Sequence, residues 1–149
     1  MIMRLHTPFR SVMIVGMLLV LAACGGAPQA ANSVSTAELV QVRLKSFAIE
    51  LSNNTIKAGS VAFEASNIAP DQIHEMLVVK TDQAPDSLPY DAGESKIPED
   101  KIQSLGEVSE LDAGKDGSLI LNLQPGKYLL FCNIATHFKS GMVTSLTVN

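Results

Sequence analysis

The sequence predicts an all-β sandwich of Greek-key type, with one short helix in a long acidic insertion. Three observations carry this expectation. Short apolar runs follow one another from about residue 38, turn-forming residues separate them, and 149 residues at 46% apolar suffice for one compact core. In the first clear strand, Val61, Phe63 and Ala65 alternate with Ala62, Glu64 and Ser66. The run from Ile73 to Lys80 reads as a buried strand with His74, Met76 and Val78 on one face. Further strands are expected over Gly106 to Leu111, Ser118 to Leu123, Lys127 to Cys132 and Val143 to Asn149. The turn signals are Lys57-Ala58-Gly59, Asp116-Gly117 and Gln124-Pro125-Gly126.

Residues 81–116 depart from this pattern. They hold Pro85, Pro89 and Pro98, and ten acidic residues against three lysines, a net charge of −7. Pro98-Glu99-Asp100-Lys101 resembles a helix start, with proline and acids in the first turn. The segment reads as a surface insertion, chiefly a solvated loop and alternatively an electrostatic docking face.

The N-terminus reads as an export signal. Arg4 and Arg10 precede twelve apolar or small residues, Val12 to Ala23, too few to span a bilayer, which takes about 20. The stretch ends in Leu21-Ala22-Ala23-Cys24-Gly25, which resembles the lipobox of bacterial lipoproteins. That resemblance implies cleavage before Cys24 and lipidation of its sulfur and new amino group, a stable membrane anchor. The expected organisation is a signal peptide over 1–23, a lipidated tether over 24–36 and one domain over 37–149. The protein is then an exported, membrane-anchored lipoprotein on the periplasmic or extracytoplasmic side.

Charge excludes one class of partner: beyond residue 23 there are nine basic and fifteen acidic residues, so no footprint for nucleic acid exists. The reactive inventory of that stretch is short. It comprises Cys132 beside Cys24, two histidines (His74, His137) and two methionines (Met76, Met142). An exported chain usually pairs its cysteines, so an unpaired Cys132 calls for a reason.

That reason lies in the spacing His74 … Cys132-x4-His137-x4-Met142. A thiolate, two imidazoles and a weak thioether form the ligand set of a trigonal copper site with a long axial bond. Taken singly, His74 would be an ordinary satisfied polar residue, Cys132 a small buried hydrophobe and Met142 core. Met76 shares a face with His74 and is the rival for the axial position, with core packing its expected role. A Cys132–His137 nucleophilic pair lacks an orienting residue. A catalytic copper centre lacks histidines for a second metal, so no enzyme activity is expected.

The segment Tyr128-Leu-Leu-Phe-Cys-Asn-Ile-Ala-Thr-His-Phe-Lys-Ser-Gly-Met142, with a terminal strand after it, resembles the C-terminal copper loop of cupredoxins of the plastocyanin, azurin and rusticyanin type. Upstream, Ser66-Asn67 and Ile73-His74-Glu75-Met76 resemble that family's first histidine strand, Glu75 standing where asparagine is common. The resemblance runs from about Ala37 to Asn149. It implies one type 1 copper ion, Cu(II)/Cu(I), held by His74, Cys132, His137 and Met142. It implies an electron-transfer protein, monomeric, with a cytochrome or copper oxidase as donor or acceptor. The alternative is a copper-tolerance or copper-delivery lipoprotein. By the same analogy the Glu75 N–H points at the Cys132 sulfur. Ile134, not being proline, keeps an N–H for a second such bond, and Asn67 or Asn133 ties the two ligand segments together. Electron entry is implied at His137, within a small apolar docking patch of Ile134, Ala135 and Phe138.

Overall fold

In this computed structural model the structure describes residues 36–149. The expected signal peptide, Cys24 and all of the tether but its last residue lie outside the described residues. Among the described residues nine strands form two sheets: β1 (Glu38–Lys45), β2 (Ala48–Leu51), β3 (Thr55–Ile56), β4 (Gly59–Asn67), β5 (His74–Lys80), β6 (Ser104–Leu111), β7 (Asp116–Leu123), β8 (Gly126–Phe131) and β9 (Val143–Val148). One sheet has the order β2-β1-β4-β7 and the other β3-β9-β8-β5-β6. Both are mixed, since β1 lies parallel to β4 and β3 parallel to β9 while every other pair is antiparallel.

The alternation read from the sequence is the alternation of the sandwich. Val40, Val42 and Leu44 of β1 and Val61, Phe63 and Ala65 of β4 point inward. They meet Met76 and Val78 of β5, Tyr128 and Leu130 of β8, and Leu146 and Val148 of β9. Strand β5 is buried on both faces, which explains its unbroken apolar run. Its other face, Leu77 and Val79, joins Leu129 and Phe131 of β8 in a second cluster outside the sandwich.

That second cluster corrects the reading of the insertion. Residues 81–103 are not a solvated loop: they lay Leu88 and Ile97, with Tyr90 and Ile102 beside them, over the outer face of β5 and β8. Their acids stay in water while four apolar side chains face the sheet, a division too sparse to register as periodicity. The short helix expected at Pro98 is a single 3₁₀ turn, Glu99–Lys101, with another at Pro85–Ser87. The remainder of the acidic stretch is β6 and the start of β7. Asp116-Gly117 opens β7 rather than forming a turn; the reversal falls at Asp112–Lys115, where Gly114 takes a left-handed φ of 75°.

The topology also places the ends that matter. Because β5 and β8 are antiparallel, the start of β5 lies beside the end of β8, and the start of β9 lies on the other side of that same end. His74 opens β5, Cys132 follows β8 and Met142 precedes β9, so three strand ends converge on one edge of the five-stranded sheet.

Candidate metal centre

His74, Cys132 and His137 meet in a buried cluster. Their donor atoms form a triangle: His74 Nδ1 to His137 Nδ1 is 3.3 Å, Cys132 Sγ to His137 Nδ1 is 3.4 Å, and Cys132 Sγ to His74 Nδ1 is 3.9 Å. A point equidistant from the corners of such a triangle lies about 2.1 Å from each, close to the length of a metal–imidazole bond and slightly short of a metal–thiolate bond. Two imidazoles and a soft thiolate suit copper better than magnesium or calcium. The donor set and its spacing therefore fit a copper ion.

The loop that carries two of these donors is closed by its own backbone. The Cys132 N–H donates to the Met142 carbonyl (3.1 Å) and the Met142 N–H to the His137 carbonyl (3.1 Å). The His137 N–H donates to the Ile134 carbonyl (2.9 Å), and Gly141 takes a φ of 99°, turning the chain into β9. Met142 is thereby fixed next to the Cys132 backbone, and its side chain is fully buried. Met76 is fully buried in the same inter-sheet cluster.

At the sulfur, the Glu75 N–H donates to Cys132 Sγ at 3.5 Å, and the Ile134 backbone N–H also approaches it. The ladder between β5 and β8 begins only at Leu77, paired with Phe131, so the Glu75 N–H two residues earlier on the same side is left for the sulfur. Burial pushes the Cys132 thiol up to about 11, the two N–H groups offsetting part of the rise. Burial likewise holds both imidazoles below the ordinary histidine value, His74 further disfavoured by the charge on His137. Both rings are thus neutral at pH 7 and ready to donate a lone pair. Two buried polar atoms of the segment entering the site find no partner, His74 Nε2 and, in the turn before β5, Gln72 Oε1.

Glu75 is a buried carboxyl. Its pKa is pushed up to about 7, first by burial, then by Glu107 and Glu99, with Lys96 opposing and Glu110 adding a smaller push.

The two asparagines do not join the ligand segments to each other. Asn67 Nδ2 donates to the carbonyls of Gln72 (2.7 Å) and Leu111 (2.8 Å), and its Oδ1 accepts from the Ala69 N–H, so it shapes the turn before His74. Asn133 faces the insertion: its Oδ1 accepts from the Ile97 N–H (2.8 Å), and its Nδ2 donates to the Ile97 carbonyl (2.9 Å) and to Glu99 Oε1 (3.2 Å).

The expected docking patch also needs revision. Ala135 is exposed and Ile134 half-buried, but Phe138 is buried, packed edge-on against Phe131 (5.3 Å between ring centres) and stacked on Tyr90 (6.4 Å). Its apolar bulk belongs to the second core cluster. The aromatic ring over His137 is instead Phe47, edge to face at 5.3 Å and 39% exposed, in the two-residue turn between β1 and β2. Sequence reasoning passed over Phe47; the signal was an aromatic residue in the polar turn Lys45-Ser46-Phe47, at a φ of 59° that favours glycine or asparagine.

A Greek-key sandwich with histidine, cysteine and histidine gathered at one end defines the class: the chain has the cupredoxin fold. Among solved structures it is similar to reduced auracyanin from the photosynthetic bacterium Roseiflexus castenholzii (17% identity over 76% of this chain and 98% of that one, TM-score 0.61). It is similar too to auracyanin A, a "blue" copper protein from Chloroflexus aurantiacus (22% identity, 74% and 99% of the chains, TM-score 0.53). Rusticyanin from Thiobacillus ferrooxidans is a third (15% identity, 76% and 79%, TM-score 0.53). No protein-family model and no curated protein matches the sequence.

Two outcomes are expected. Cu(II) added to the chelator-treated protein at pH 8, where Glu75 is already ionised, should displace about one proton, that of Cys132, measurable in weakly buffered solution; none should be released by Cys132→Ser. In the metal-free protein the folded state holds the Glu75 proton to about pH 7 and the unfolded chain only to about 4.5. The resulting stability is full below pH 4.5 and lost as pH rises through 7, on the order of 3 kcal/mol. The two lowered imidazoles add an opposing rise below about pH 6.5, so denaturant unfolding between pH 6.5 and 8 should show that decline, and Glu75→Gln should flatten it.

Proposed function

We propose that this protein is a type 1 copper protein that passes single electrons between redox partners at the extracytoplasmic membrane surface. The observation that carries the reading is the buried triangle of His74 Nδ1, His137 Nδ1 and Cys132 Sγ, with sides of 3.3–3.9 Å. When bound, copper supplies a one-electron Cu(II)/Cu(I) couple at these donors.

The chain's own residues supply the conditions for such a couple. Both imidazoles and the thiol sit on strand ends and a closed loop, so the donor positions are set by the sheet. Burial of all three excludes water, which limits the rearrangement that accompanies a change of charge. The N–H groups of Glu75 and Ile134 direct their dipoles at the sulfur and stabilise negative charge there. Met142 would be a further residue to hold the copper, by its place after the loop. His137 is the donor side chain near the surface, under Phe47 and beside Ala135, and offers a partner a short path and a small apolar contact. A contact of that kind suits brief encounters, below about 1,200 Å² of buried surface. The cytochrome or copper oxidase partners suggested by the family resemblance fit such a contact.

The same reading includes export and anchoring: cleavage before Cys24, lipid on that residue, a tether over 24–36 and a monomeric cupredoxin domain over 37–149. Its support is the lipobox-like sequence ending at Cys24.

Two tests follow from this reading. Cu(II) added to the full-length protein should give an intense visible thiolate band and a type 1 EPR signal, bleached by ascorbate and absent in Cys132→Ser. Met142→Leu should shift band and potential while Met76→Leu leaves them in place. A pale spectrum without the band overturns the copper reading. Metabolic labelling with a fatty acid should mark the wild type and not Cys24→Ala; a label that persists in the variant removes the anchor.

A further inference from the structure

The insertion touches the donor loop next to Cys132 and on both sides of His137. Next to Cys132, Asn133 binds both the N–H and the carbonyl of Ile97 and also Glu99. On one side of His137, the Thr136 N–H donates to the Ser95 carbonyl (2.8 Å). On the other side, Phe138 stacks on Tyr90, and the Lys139 ammonium lies over the Tyr90 ring, 4.9 Å from its centre. None of these contacts reaches a donor atom, yet together they bracket both.

Backbone strain marks the same place. Three non-glycine residues adopt left-handed φ among the described residues: Phe47 (59°), Ser95 (57°) and Thr136 (72°). Ser95 and Thr136 are the two partners of one hydrogen bond, and Phe47 packs on His137. Strained residues persist where the surroundings over-determine them, and they cluster at sites whose geometry must be held. Asn133 points the same way. It is a buried amide in a position where an apolar side chain would fill the space, and its three hydrogen bonds specify one arrangement of loop and insertion.

We propose that residues 90–99 form a clamp that holds Cys132 and His137 at bonding separation before a metal arrives, with Asn133 as its positioning residue. The clamp explains why an acidic, proline-containing segment packs on the outer face of β5 and β8. The four apolar side chains seat it, and its polar backbone grips the loop. In its effect on an electron carrier the inference rests on the copper reading above; in its effect on the loop it does not.

The test uses the full-length protein, wild type, Asn133→Leu and Tyr90→Ala. Asn133→Leu keeps the branched shape of the side chain and removes the three hydrogen bonds. Tyr90→Ala acts from the insertion side, on a half-buried residue that adjoins no donor. In chelator-treated samples, hydrogen exchange at the Thr136, His137 and Ser140 amides should quicken at least tenfold in each variant, against less than threefold at the Val61–Ala65 amides. In copper-loaded samples both variants should alter the EPR hyperfine coupling and slow electron self-exchange at least tenfold. Exchange that quickens equally in the loop and in β4 would mean loss of general stability and would overturn the clamp, as would an unchanged loop. If Asn133→Leu does not fold, Tyr90→Ala decides by the same measurements. A wild type without the thiolate band, with loop exchange behaving as expected, sinks the copper reading and leaves the clamp. A wild type with the band and an unresponsive loop does the reverse.

Discussion

Antiparallel pairing of β5, β8 and β9 is the constraint on which the site depends, because it turns distant positions in the chain into neighbours at one sheet edge. Fifty-eight residues separate His74 from Cys132 in sequence, yet the ladder sets their strand ends side by side. The ladder is in turn fixed by burial: β8 lies in the middle of its sheet and sends apolar side chains to both faces. A one-residue slip would exchange those faces and carry Cys132 away from His74, so the hydrophobic pattern and the donor geometry enforce the same register.

Three polar donors in an apolar pocket are costly to bury unless something draws on them. Here the thiol is pushed toward its neutral form, both imidazoles are held neutral, and His74 Nε2 has no partner. A structural polar cluster would be expected to satisfy its members; this one turns three donor atoms toward a common point and leaves His74 Nε2 without a partner. That arrangement makes sense for groups that share a cation, and the surrounding N–H groups at the sulfur belong to the same logic.

The donors were legible in the sequence because two of them are local, Cys132 and His137 falling within one loop, and few other thiols or imidazoles compete with them. The strands were legible for a similar reason, since Val61-x-Phe63-x-Ala65 shows its period within five residues. What the sequence withheld depends on contacts between remote segments. Asn133 offers no hint that its amide binds Ile97, 36 residues earlier, rather than the other ligand segment. Phe138 looks like a surface residue because it adjoins His137, and only the packing of Tyr90 and Phe131 around it shows otherwise. The insertion was misread because four apolar residues at irregular intervals cover a sheet as well as a periodic set does, while charge dominates the composition.

Phe47 gives the site a further property. His74, Cys132 and His137 all belong to the five-stranded sheet or its connections, whereas Phe47 comes from a turn of the four-stranded one. The cover over His137 is therefore set by how the two layers sit against each other, and that depends on inter-layer residues such as Phe63 and Leu130. A sliding of one layer across the other, too small to disturb any donor distance within the five-stranded sheet, changes how much of the imidazole edge is presented at the surface. Core packing thus adjusts the aperture of the site independently of its geometry, and mutations far from the donors acquire a route to the exposure of His137 that leaves the donor triangle unchanged.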